Sequence, residues 1–267
     1  MADRRSSGRA LEVAETAARE AGAILMGHFG RLDRGRIRSK SAARDLVTAA
    51  DVESERAIVA RLRAAFPDDA IEAEEEVHDA ADASLRPRWF VDPLDGTINF
   101  VHGLPAFAVS IARYRGGVPE VAVVHLPRLG ETFTAESGQG ARLDGQPICV
   151  SETASLGEAI LATGFPYRRN ELRHNNLENF GRFFLDVRGM RRMGSAAMDL
   201  AFVAAGRFDG FWELHLSPHD VAAGALLVRE AGGTVRDADG GEDWLRGGHI
   251  VAANASLFEA IRERVRH

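Results

Sequence analysis

The sequence predicts a mixed α/β protein, α+β in its first half and α/β in its second. Three observations carry this reading. Two helical patterns occupy the chain before Pro67, strand-like runs between glycine turns fill Phe107 to Ala135, and from near Ser151 short strands alternate with helices. The chain therefore divides into an N-terminal α+β part, residues 1–150, and a C-terminal α/β part, residues 151–267, with Gly145 to Ser155 the nearest thing to a linker. At 267 residues and 45% apolar content, there is ample material for a buried core.

The first helix is set by Leu11, Ala14, Ala18, Ala21 and Leu25, apolar positions at helical spacing with charges between them, and it ends near Gly27 and Gly30. The segment Arg31 to Lys40 is basic and loop-like. A second helix runs from about Ala49 to Phe66, where Pro67 stops it. Asp51, three residues after Thr48, suits both a capping-box acid and a functional one, and the two roles are compatible. Ile71 to Glu76 reads as a short strand whose end carries three acids. A solvated acidic edge is the ordinary explanation, but Glu74 there could also reach a site formed by the next strand. That strand is Trp89, Phe90 and Val91. Pro93 and Gly96 must break it, so Asp92 and Asp95 emerge just beyond its end. Thr97 to Phe100 can open a helical turn whose free N–H groups point to the same place. Phe107 to Tyr114, Val118 to His125 and Glu131 to Ala135 then form an antiparallel meander, closed by a hairpin at Leu143-Asp144-Gly145-Gln146.

In the second half, strands are predicted at Ala159 to Thr163, Gly189 to Met193, Gly210 to Leu214 and His249 to Ala253. Helices are predicted from about Glu171 to Phe184, Ser195 to Ala205 and Asp220 to Ala231, with a last one from Ser256. Two helix starts matter chemically. Gly194, Ser195 and Ala196 open one with small residues and exposed N–H groups, and Asp220 sits in the first turn of another, where an acid stabilises a helix start by default.

A formal net charge of −6 suggests no basic nucleic-acid surface. The single cysteine, Cys149, excludes an internal disulfide and a thiolate metal cluster, and is expected to be a small buried hydrophobe. The first nine residues lack an apolar leader core, and Val221 to Val228, the longest apolar run with glycine, is too short to cross a bilayer. A soluble, cytoplasmic protein is expected. His102 and His125 are expected to be structural.

Asp92 and Asp95 are the chemical centre. Two carboxylates three residues apart on a turn can converge, and carboxylate and carbonyl oxygens are the ligands hard cations such as Mg²⁺ prefer. An EF-hand fails on spacing, because aligning Gly96 with the sixth loop position puts Val91 at the first. Taken alone, Asp-x-x-Asp-Gly-Thr would be an ordinary turn. Acids elsewhere raise the metal reading.

Together these pieces resemble the inositol monophosphatase family, a branch of the metal-dependent, lithium-sensitive phosphatases. The resemblance rests on Trp89 to Phe100, on Asp220-Val221-Ala222-Ala223-Gly224 with Glu230 to Gly233, and on Asp45 to Thr48 with Asp51. Glu74-Glu75 and Met193 to Ala197 with Asp199 complete the order, and Thr163 to Tyr167 and Ala204 to Arg207 are most similar to the bacterial inositol-1-monophosphatase branch. The resemblance implies a layered αβαβα sandwich of the inositol monophosphatase and fructose-1,6-bisphosphatase type. It implies one Mg²⁺ held by Glu74, Asp92 and the Leu94 carbonyl, a second held by Asp92, Asp95 and Asp220, and a third, weaker ion near Glu74. Thr97 would hold the attacking water with Asp51 as its relay. The N–H groups of Gly96 and Thr97 would bind phosphate, and Glu213 with the start at Gly194, Ser195 and Ala196 would contact substrate hydroxyls.

Three departures from the family pattern stand out: Ala73 where glycine is usual, the additional acid Glu76, and His219 where tryptophan is common. His219 changes the wall of the substrate pocket and bears on substrate identity, not on metal binding. The reading that follows is an Mg²⁺-dependent inositol-1-phosphate phosphatase working as a homodimer. Its rivals are a relative acting on histidinol phosphate, fructose 1,6-bisphosphate or 3′-phosphoadenosine nucleotides, and a family member that chiefly binds transcription machinery. A two-metal nuclease is disfavoured by the acidic balance.

Overall fold

The computed structural model describes residues 4–31, 38–39, 46–79 and 86–267. Most of the expected basic loop at 31–40, and residues 41–45 with Asp45, lie outside the described residues. Helix α1 spans Arg4–His28 and buries Ala14, Ala18, Ala21 and Leu25, as their spacing predicts. It begins earlier than expected, because the polar residues before Ala10 extend the helix without adding an apolar stripe. Strands β1 (Arg38–Ser39) and β2 (Leu46–Val47) pair antiparallel. Helix α2, Ala49–Ala65, starts on a capping box in which the Asp51 carboxylate accepts the Thr48 N–H.

Among the described residues the next strands form one seven-stranded sheet in sequential order: β3 (Ala70–Ala73), β4 (Arg88–Asp95), β5 (Ala108–Arg115), β6 (Val118–Leu126), β7 (Glu131–Glu136), β8 (Ala141–Leu143) and β9 (Gln146–Ile148). Helix α3, Thr97–Val101, lies between β4 and β5. The pair β3 and β4 is parallel, and the remaining neighbours are antiparallel. The hairpin between β8 and β9 turns on Asp144 and Gly145, both at positive φ, as its sequence predicts.

One expectation is corrected here. Pro93 does not end β4. Asp92 pairs with Ser110 and Asp95 with Ala108, so β4 carries one extra residue in a bulge and continues to Asp95. A bulge leaves a position that needs no ladder N–H, which is where a proline can sit within a strand.

The second sheet has the order β11-β10-β12-β14-β13, comprising β10 (Ile160–Thr163), β11 (Gly189–Arg191), β12 (Gly210–Leu214), β13 (Thr234–Arg236) and β14 (His249–Ala253). Its helices are α4 (Leu177–Phe184), α5 (Ala196–Ala204), α6 (Pro218–Glu230) and α7 (Phe258–Arg262). The helix predicted from Glu171 begins only at Leu177. Asn176 sits at positive φ, and its side chain bonds Thr163 Oγ1, the Gly164 carbonyl and the Trp212 indole, holding the preceding chain against the sheet.

Side-chain alternation stacks these elements into five layers. Trp89 and Val91 on β4 pack with α1 and α2, whereas Phe90 between them joins the core made with α5 and α6. On β12, Phe211 faces that same middle core and Trp212 faces the outer one with α4 and α7, against Phe183. Each such fully buried aromatic contributes roughly 1.5–3 kcal/mol. The result is the αβαβα sandwich, with α5 and α6 between the sheets. Cys149 departs from expectation: it is exposed, because it follows the short edge strand β9 rather than lying beneath a layer.

Candidate active site

The bulge in β4 brings Asp92 and Asp95 to the end of a strand at the centre of the fold. The Leu94 N–H donates to Asp92 Oδ1 at 2.9 Å, which orients that carboxylate. Gly96 follows with φ 96°, and a Cβ there would lie 2.8 Å from the Ala106 carbonyl, so glycine alone lets the chain turn into α3. At the start of α3 the Thr97 hydroxyl lies 3.1 Å from the Leu94 carbonyl and 3.2 Å from Asp51 Oδ1. Asp51 is fully buried, stands behind Thr97, and uses its other oxygen to cap α2. One Asp51 carboxylate thus both caps α2 and meets the Thr97 hydroxyl.

Glu74 follows β3 and is fixed through its backbone, which donates to the Val91 carbonyl at 3.1 Å. The next three N–H groups are held by a residue that the sequence reading missed. Glu55 on α2 is fully buried, and its carboxylate accepts from Glu75 and Glu76 at 2.7 Å each and from Val77 at 3.1 Å. The available signal was an acid one turn after Asp51, on the helix face that also carries Ile58 and Leu62.

The second half closes the site from the other side. Asp220 sits at the third position of α6, and its Oδ2 accepts the Ser217 N–H at 2.6 Å, the capping bond expected of it. Asp95 Oδ2 accepts the Ser195 hydroxyl and the Ala197 N–H, each at 2.7 Å, so the start of α5 holds a carboxylate of β4. Asn99, also missed, donates its amide to the carbonyls of Ala106 and Met193, tying α3 to the loop before Gly194.

One oxygen from each of Asp92, Asp95 and Asp220 lies within 4.8 Å of the others, and so do one ligand atom each from Glu74, Asp92 and His219. They open into a cavity of about 370 Å³ whose wall includes Leu94, Gly96, Thr97, Gly194, Ser195, Ala196 and Glu213. The residues singled out in the sequence thus meet in one place, apart from Asp51, which supports Thr97 from behind. Arg192 and Tyr167 also line the cavity and were not anticipated. The pocket-wall role expected of His219 holds, and its ring additionally stands beside Glu74 and Asp92.

Crowding of acids sets the electrostatics. Burial, then the charges of Glu74, Asp95 and Asp220, pushes Asp92 well above the ordinary carboxylate range. Burial and Asp220 push Asp95 up to about 7, against the pull of its Ser195 and Ala197 bonds. Burial, and after it Asp220, pushes Glu213 up to about 8, with Arg192 opposing. A cation among these carboxylates would offset their crowding, and an oxygen set of this kind suits a hard dication. The residues present fit a metal site.

The family model described as the inositol monophosphatase family matches residues 8–267. A Pseudomonas aeruginosa protein named Nus factor SuhB is 47% identical over 257 residues, covering 94% of this chain and 93% of that protein. A Mesorhizobium japonicum inositol-1-monophosphatase is 40% identical, covering 96% of each. Among solved structures, the inositol monophosphatase from Anabaena (Nostoc) sp. PCC 7120 superposes with a TM-score of 0.87 at 39% identity, covering 96% of this chain and 95% of that one. The Bartonella henselae suhB protein superposes at 0.89 and 39%, covering 96% and 98%.

Proposed function

Because the chain belongs to the inositol monophosphatase family, we propose that it is an Mg²⁺-dependent phosphomonoesterase that hydrolyses inositol 1-phosphate to inositol and phosphate. The observation that carries this reading is the convergence of Asp92, Asp95 and Asp220 with Glu74 on the turn that bears Thr97. Glu74, Asp92 and the Leu94 carbonyl would hold one ion, and Asp92, Asp95 and Asp220 a second, with a third, weaker one near Glu74. Bound there, the ions would neutralise the carboxylates, polarise the phosphate ester and favour ionisation of an attacking water.

The side chains around them have separate tasks. The Thr97 hydroxyl has one proton. When it donates that proton to Asp51, its lone pairs are free to accept from a water and aim it at phosphorus. The N–H groups of Gly96 and Thr97 would receive phosphate oxygens. Glu213, with Gly194, Ser195 and Ala196, would contact the inositol hydroxyls on the opposite wall. A buried acid at Glu213 favours a polyol, because its carboxyl pairs with hydroxyls.

We read residues 1–150 and 151–267 as two subdomains that each supply half of this site. No described helix is long and apolar enough to cross a membrane, and a cytoplasmic location is part of the proposal. So is a homodimer, which the exposed apolar side chains Leu177, Phe184 and Leu185 on and beside α4 support.

The relatives named Nus factor SuhB favour a second reading, a protein whose main work is contact with transcription machinery. The full set of acids argues that catalysis persists even then. Phosphate release with Mg²⁺, measured across inositol 1-phosphate, histidinol phosphate, fructose 1,6-bisphosphate and 3′-phosphoadenosine nucleotides, tests the assignment. No release from any of them would leave the second reading in place.

A further inference from the structure

The two ligand groups of the cavity share Asp92 but differ in chemistry. Asp92, Asp95 and Asp220 offer oxygen alone, whereas Glu74 and Asp92 are joined by a ring nitrogen of His219. His219 and Asp220 are consecutive residues in the first turn of α6, and neighbours on a helix diverge by about 100°. Asp220 thereby serves the group with Asp95, and His219 the group with Glu74.

The helix start is rigidly placed. Ser110 Oγ donates to the His219 carbonyl at 3.2 Å, the Asp220 carboxylate caps at Ser217, and the His219 side chain is only 16% exposed. Its Nε2 stays 3.8 Å from Asp220 Oδ1, beyond hydrogen-bonding distance, so that carboxylate does not hold the nitrogen as an N–H donor.

Resting on the reading of these acids as a metal site, we propose that His219 is a direct nitrogen ligand, with Glu74 and Asp92, to the cation on that side of the cavity. The position then prefers a first-row transition dication to Mg²⁺. Neutral imidazole binds such ions well, and Mg²⁺ keeps oxygen ligands and water, so a mixed nitrogen and oxygen set shifts selectivity toward the former. The neighbouring all-oxygen position keeps its affinity for Mg²⁺.

The test uses Mn²⁺ as the probe on the full chain, without substrate. Binding is followed by electron paramagnetic resonance, nitrogen coupling to the bound ion by electron spin echo envelope modulation, and Mg²⁺ affinity by competition. The unmodified protein should show coupling from a directly bound imidazole nitrogen. His219→Ala and the size-conserving His219→Gln should both lose it, and should lower the ratio of Mn²⁺ to Mg²⁺ affinity by about tenfold or more. Bound Mn²⁺ with no nitrogen coupling, or a ratio unchanged in both variants, would overturn the role of His219 and leave the carboxylate site standing. Asp92→Asn separates the two claims: if it binds Mn²⁺ as tightly as the unmodified protein, the metal-site reading falls, and the inference with it.

Discussion

Asp51 and Thr97 stand 46 residues apart in the chain, yet the Thr97 hydroxyl lies 3.2 Å from Asp51 Oδ1 while Asp51 Oδ2 accepts the Thr48 N–H that starts α2. One carboxylate therefore serves both a helix cap and the residue proposed to aim the water. Thr97→Ala is expected to lower kcat roughly 10²- to 10³-fold, the range for one positioned catalytic group. Asp51→Asn should cost a similar factor, together with about 0.5–2 kcal/mol of stability from the weakened cap. In a double-mutant cycle the pair should be little worse than either change alone. Additive losses in kcat would reduce Asp51 to a cap.

Asp92 belongs to both ligand groups, so Asp92→Asn should reduce turnover far below a tenth of the unmodified rate. A tenth would be a barrier change of only ~1.4 kcal/mol, too small for loss of a carboxylate shared by two ions. Glu74→Gln should lower kcat more than it raises KM. Steady-state kinetics at saturating Mg²⁺ decide both, and a rise in KM alone would move Glu74 to substrate binding.

Glu55 makes no contact with the cavity but holds three N–H groups of the chain that positions Glu74. Glu55→Gln can accept at most through one oxygen, so that segment should loosen. Cation affinity, measured by calorimetric titration, is expected to fall about 10- to 100-fold, the usual cost of losing a ligand's support. Affinity within twofold of the unmodified protein would show that the strand β3 alone fixes Glu74.

Stability of the cation-free protein should depend on pH in a defined direction. Asp95 and Glu213 are held up to about 7 and about 8, and unfolding returns them to the ordinary range near 4. Between those limits the native state binds protons that the unfolded state has released, so the stability these two groups contribute is full below about pH 4 and is lost as pH rises through 7 to 8. With chelator, Tm should therefore drop between pH 5 and 8 by roughly 2–4 °C for each kcal/mol lost. Added Mg²⁺ should raise Tm more at pH 8 than at pH 5. Equal gains at the two pH values would show that Asp95 is not a ligand.

Much of this arrangement was legible because local chemistry and the site coincide. Asp51 and Asp220 stand three residues after Thr48 and Ser217, a spacing that announces helix starts, and the fold also sets Asp51 behind Thr97 and Asp220 beside Asp92 and Asp95. The strands β12 and β14, apolar apart from Glu213 and the leading His249, were bounded correctly. What escaped notice depends on long-range partners. The bulge that carries β4 past Pro93 is set by its pairing with β5, and nothing in Pro93 itself reveals it. Asn99 and Glu55 look like ordinary polar residues until the carbonyls and N–H groups they satisfy arrive from Met193 and Val77. The late start of α4 has the same origin, in bonds from Asn176 to β10 and to Trp212.

Lithium separates the metal chemistry from recognition of the alcohol. Li⁺ is close to Mg²⁺ in size but carries half its charge, so at the position formed by Asp92, Asp95 and Asp220 it would occupy space without giving the leaving oxygen comparable stabilisation. Inhibition by Li⁺ should be uncompetitive or noncompetitive with substrate, and excess Mg²⁺ should also inhibit by slowing product release. Glu213 lies across the cavity on β12, packed against Gly164 so closely that a Cβ there would fall 2.1 Å from its Oε2. Glu213→Gln should leave Li⁺ sensitivity intact while weakening selection for inositol 1-phosphate over a simple alkyl phosphate by about 1–3 kcal/mol. Gly164→Ala, which must push Glu213 aside, should reduce selectivity in the same direction without touching any proposed ligand. The measurement is kcat/KM for both substrates, with and without Li⁺, in the unmodified protein and the two variants. Unchanged selectivity in both would remove Glu213 from the recognition wall, whereas selectivity and Li⁺ sensitivity falling together would mean that Glu213 acts through Asp220 and the metal position instead.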